Sequence, residues 1–122
     1  MAHILIIDDE ELFRNMLQQM LEKTGHKVSA ASDGGKGIEV YRQEQPDLVI
    51  TDIFMPEKEG ISTIQELKQE FPDVKVIAVT GGGKKNCGFE YLSFAENAGA
   101  DKTLNKPFER QEILDVIDEL LA

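Results

Sequence analysis

Residues 3–11 read His3-Ile4-Leu5-Ile6-Ile7-Asp8-Asp9-Glu10-Glu11. Four Ile and Leu residues run together without polar alternation and are cut off by four acids. A continuous apolar run of this length marks a strand buried on both faces, the kind found in parallel sheets. The pattern then recurs. A helix over 10–23 carries Leu12, Phe13, Met16, Leu17, Met20 and Leu21 on one stripe, expected as core, and Gly25 stops it. A weak strand covers 27–31. Asp33 is placed to cap a helix that runs to about Glu44, with Pro46 beyond it. The third apolar run, 48–51, again ends in an acid, Asp52. A helix over 61–70 ends at Phe71-Pro72, and 74–79 is a β-branched strand. After a glycine-rich stretch from Thr80, a helix over 89–97 leads to Gly99. A short strand over 100–104, the turn Asn105-Lys106-Pro107 and a helix over 108–121 complete the chain.

Five repeats of strand then helix predict an α/β fold. Right-handed crossovers place helices on both faces of a five-stranded parallel sheet, doubly wound and flavodoxin-like, with strand order 2-1-3-4-5 and five helices. The 122 residues predict one domain spanning 1–122. There are 13 Lys and Arg against 23 Asp and Glu, a net charge of −10. That field opposes binding to nucleic acid or to an anionic membrane surface. A hydrophobic fraction of 41% argues against disorder. The single Cys87 rules out an internal disulfide and fits a reducing compartment. No apolar run is long enough for a signal peptide or a membrane span. The expected setting is the cytoplasm.

Ligands of open parallel sheets bind beyond the carboxyl ends of the strands. The residues standing there are Asp8 and Asp9, Asp52, Thr80 with Gly81, and Lys106 with Pro107. Glu10 and Glu11 are accounted for by the helix dipole and are assigned no chemistry. Asp52 is not, because Ile53-Phe54-Met55-Pro56 follows it instead of a helix. If the first and third strands are neighbours, Asp8, Asp9 and Asp52 converge. Their mutual repulsion is resolved by a cation, and oxygen ligands suit Mg²⁺ or Mn²⁺. Asp52 can then serve as a carboxylate nucleophile that forms an aspartyl phosphate. Thr80 can donate to a phosphoryl oxygen, and Lys106 can pair with Asp52 before transfer and with the phosphoryl group after it.

In order and spacing these residues resemble the receiver domains of two-component response regulators, over about residues 3–121. The resemblance implies that Asp52, in Asp52-Ile53-Phe54-Met55-Pro56 followed by Gly60, is the phosphoacceptor. Mg²⁺ is then held by Asp9, Asp52 and the Phe54 backbone carbonyl, with Asp8 acting largely through water. Thr80-Gly81 takes the place of the hydroxyl and its small neighbour, and Lys106-Pro107-Phe108 that of the Lys-Pro-Phe turn. The implied donor is a histidine kinase or a phosphotransfer protein, and the implied target an unknown downstream protein or output domain. The surface that responds is the one around the fourth helix and fifth strand. The expected assembly is a monomer or weak dimer. The domain is no enzyme on another substrate; it assists its own phosphoryl transfer and dephosphorylation.

Two positions depart from that pattern. Thr103 stands where the family usually has Tyr or Phe, so Thr80 and Thr103 form an altered switch pair. The stretch from Gly81 to Gly88 is longer than most receivers carry there, and reads as a mobile surface loop or as a lid drawn to the phosphoryl charge through Lys84 or Lys85. Phe54 is a candidate shield against water. Walker and dinucleotide patterns fail around Gly81-Gly82-Gly83-Lys84. A flavin phosphate would be repelled by four acids after the first strand, and an aspartate-based phosphatase would want an acid where Phe54 stands. The alternative reading is a phosphorylation-independent interaction module on the same fold.

Overall fold

Strands and helices alternate through the computed structural model, which describes residues 2–53, 60–80, 98–106 and 108–122. The order is β1 (His3–Ile7), α1 (Glu11–Lys23), β2 (Lys27–Ala31), α2 (Gly34–Glu44), β3 (Leu48–Asp52), α3 (Gly60–Glu70), β4 (Val76–Thr80), β5 (Lys102–Asn105) and a last helix, α4 (Arg110–Leu121). All five strands are parallel, in the order β2-β1-β3-β4-β5. This is the doubly wound sheet the alternation predicts. The helix expected over 89–97 lies outside the described residues.

The continuous apolar strands are continuous because the sheet has a core on each side. Leu5, Ile7, Val49, Val76 and Ala78 face one cluster, with Ile38 and Tyr41 of α2 and Ile64 and Leu67 of α3. Ile4, Ile6, Leu48, Ile50, Ile77, Val79 and Leu104 face the other, with Leu17 and Leu21 of α1 and Ile113 and Ile117 of α4. Alternate residues of one strand thus serve opposite layers.

The stripe on α1 is only partly core. Leu17 and Leu21 are fully buried, but Leu12 is 83% and Met16 53% exposed. At about 100° per residue, six apolar side chains span too wide an arc for one sheet to cover. Leu12 and Met16 lie on the flank furthest from Leu17 and Leu21.

Local signals set the ends. Asp33 accepts from the Lys36 backbone N–H at 2.8 Å and caps α2. Gly25 and Gly99 take left-handed φ of 94° and 118°. β4 starts at Val76 because Val74 closes a turn, its N–H donating to Phe71 O. β5 starts two residues later than expected: the Asp101 carboxylate accepts from the Val76 N–H at 2.8 Å and ties the preceding turn to β4. α4 begins at Arg110 after Glu109, which leaves Phe108 free to pack on Phe13.

Candidate functional site

Register brings the acids together. Ile7 is paired with Thr51 across β1 and β3, so the next residues, Asp8 and Asp52, stand side by side at the carboxyl ends. Asp52 is paired with Val79 and Thr80 with Asn105, which sets Lys106 at the same rim. Strand order reverses at the β1/β3 boundary, the position beyond whose carboxyl ends open parallel sheets bind their ligands.

Carboxylate oxygens of Asp8, Asp9 and Asp52 lie within 4.8 Å of one another. Asp8 and Asp52 are buried and Asp9 is exposed. Asp8 Oδ1 accepts from the Glu10 backbone N–H at 2.8 Å, which fixes its rotamer at the start of α1. Its backbone oxygen accepts from Arg14 Nη1 at 2.7 Å. The Lys106 ammonium donates to Asp8 Oδ2 at 3.0 Å and to Asp52 Oδ2 at 3.4 Å.

Burial pushes the Asp8 carboxyl above the ordinary carboxylate value, against the Glu10 N–H and the Lys106 ammonium, which favour its ionised form. Burial also works against the Lys106 charge, but the carboxylates of Asp52 and Asp8 outweigh it and hold the ammonium's pKa above the ordinary lysine value. Lys106 therefore stands among the acids as a fixed cation. Hard, all-oxygen donors at this spacing fit Mg²⁺ or Mn²⁺ better than zinc, so the donor set suits the cation the sequence predicts.

Two contacts were not legible in the sequence. Glu10 Oε1 lies 3.6 Å from Lys106 Nζ, although its place at the start of a helix gave it no expected chemistry. Phe13, read as core, has its ring centre 3.8 Å from Lys106 Nζ. Thr103 is half-buried and paired with Ala78, whose side chain belongs to the α2/α3 side of the sheet. Thr80 closes β4, and its side chain lies outside the described residues. So do Phe54, the stretch from Gly81 to Gly88, and Pro107.

The sequence of residues 4–118 matches the response regulator receiver domain. Chemotaxis protein CheY of Halobacterium salinarum is 34% identical over 119 residues, 98% of this chain and 96% of that one. The crystal structure of a CheY-like receiver domain protein from Methanospirillum hungatei superposes with a TM-score of 0.90 at 32% identity, covering 99% of this chain and 94% of that one. NtrX from Brucella abortus also superposes at 0.90, with 27% identity over 98% of this chain, which spans only 27% of its length. The chain belongs to the response regulator receiver domains and is CheY-like within them. It is therefore a phosphorylatable receiver of two-component signalling, a phosphoacceptor domain rather than an enzyme. Among the described residues, no helix is long and apolar enough to cross a membrane.

Proposed function

We propose that Asp52 is the phosphoacceptor and that residues 1–122 act as one receiver domain. The donor is a phosphohistidine of a histidine kinase or phosphotransfer protein. The observation that carries this is the side-by-side Asp8 and Asp52 with one ammonium across both. An Asp52 carboxylate oxygen forms the new O–P bond as the N–P bond of the donor breaks, and the imidazole leaves with the electron pair and takes a proton. Asp9, Asp52 and the Phe54 backbone carbonyl would hold Mg²⁺, or Mn²⁺ in its place, with Asp8 acting largely through water. When bound, the ion neutralises the phosphoryl oxygens and aligns them for in-line transfer. Lys106 shifts its pairing from Asp52 to a phosphoryl oxygen, and the Thr80 hydroxyl donates to another. Thr103, too small to act as an aromatic switch, leaves the response to the surface around β5 and the helix predicted over 89–97, where a downstream protein or output domain is controlled. The acidic charge and the single cysteine support a cytoplasmic setting, where we infer a monomer or weak dimer.

The test is phosphorylation by acetyl phosphate with Mg²⁺, read by intact mass and by binding of beryllofluoride. Wild type should gain one base-labile phosphoryl group and bind the mimic, and Asp52→Asn should do neither. If wild type does neither, the phosphorylation-independent interaction module takes the place of this reading.

A further inference from the structure

The Lys106 ammonium has a neighbour that carries no charge. Besides Asp8 at 3.0 Å, Asp52 at 3.4 Å and Glu10 at 3.6 Å, it stands 3.8 Å from the centre of the Phe13 ring. A cation over an aromatic face is attracted by the ring quadrupole, more strongly where water is scarce. The Lys106 side chain is 13% exposed. The ring is itself held. Phe108 meets it nearly perpendicular, at 85° and 5.8 Å between centroids, an orientation aromatic pairs favour. Lys106 and Phe108 both follow β5, and Phe13 sits near the start of α1. Two side chains two residues apart thus hold one ring.

A lysine ammonium is a point charge on a stem with four rotatable bonds. Here it has a choice of anions: buried Asp8 and Asp52, or Glu10, whose side chain is 63% exposed. Pairing with Glu10 alone would draw it toward solvent. We propose that Phe13 is a positioning residue for phosphoryl transfer to Asp52: its ring face holds the Lys106 ammonium at the buried carboxylates, where negative charge develops on the transferring group. This rests on Asp52 being the acceptor. Phe13 touches neither donor nor acceptor and acts through Lys106.

The experiment separates ring electronics from packing. Phe13 is replaced by mono-, di- and trifluorophenylalanine, which weaken the negative ring face step by step with little change of shape. Phe13→Tyr serves as the conservative variant and Phe13→Leu as the loss of the ring. The initial rate of Mg²⁺-dependent phosphorylation by acetyl phosphate is read beside a urea melt of each protein. The rate should fall stepwise with fluorination, by about two- to fivefold at the trifluoro ring. Phe13→Leu should be at least as slow, and Phe13→Tyr should match wild type. A flat fluorine series with an active wild type, or Phe13→Leu as fast as wild type, overturns the role of Phe13 and leaves Asp52 as acceptor. A wild type that takes no phosphoryl group overturns both.

Discussion

Lys106 shows how one side chain ties the site together. Its charge compensates two buried acids, one of which, Asp8, is held above its ordinary pKa by burial. Replacing it with Met keeps most of the stem and removes the charge. Without metal, Lys106→Met should cost about 1–3 kcal/mol of stability at pH 7, because buried carboxylates are left without their cation. The loss should shrink as pH falls. A carboxyl whose folded pKa lies above its unfolded 3.8 binds its proton more tightly when folded, so protonating it relieves the fold across the window between those two values. The Lys106 shift runs the other way. Its stabilisation is in full force below the ordinary 10.5 and is lost only as pH rises through the higher folded value, so the neutral comparison is clean. Urea melts stepped from pH 7 down toward the unfolded carboxyl value of 3.8 measure this, and a loss that stays the same across the whole range would contradict it. Asp8, Asp52 and Lys106 were legible as polar residues closing apolar runs. Phe13 and Glu10 were not, because a contact with Lys106, more than ninety positions along the chain, leaves no local pattern.

At the scale of the element, the helices are placed by close contacts as much as by propensity. Gly37 of α2 is buried, and a Cβ built there would collide with Cδ1 and Cγ1 of Ile7 in β1. Gly37→Ala should therefore destabilise by about 1–3 kcal/mol despite its better helix propensity, because overpacking outweighs the entropic gain. A denaturation midpoint equal to or above wild type would show that α2 can shift away at little cost. The cap by Asp33 and the stop at Gly25 were readable locally, since a side-chain oxygen or a left-handed φ acts within a few residues. The starts of β4 and β5 were not. β4 opens only past the turn that Val74 closes on Phe71, and β5 depends on Asp101 reaching across to Val76, a pairing between segments twenty-five residues apart. The depth of α1's burial was also beyond local reading. An apolar stripe says which side faces inward but not how much of the arc the sheet covers, and Leu12 and Met16 stay outside.

For the molecule as a whole, the carboxylate cluster is a liability that the proposed divalent cation would remove. Mg²⁺ should raise the melting temperature in a saturable way, since binding to the folded state alone stabilises by mass action, about 2.7 kcal/mol at a hundredfold excess over Kd. For a chain of this size each kcal/mol is worth about 3–6 °C. Asp9→Asn and Asp52→Asn should flatten that response, and an unchanged response in both would place the ion elsewhere. The acidic composition, the alternation of strand and helix, the double-faced burial of the strands and the residues closing each strand were all determined by the sequence itself, because each is a property of a short window. Only the tertiary structure decided that Ile7 is level with Thr51, that Asp8 and Asp52 therefore stand side by side, and that a lysine just past the last strand and a phenylalanine from the first helix meet beside them. Those are matters of register and crossover. They are settled by how whole layers pack, where a slip of one residue would move every side chain to the other face.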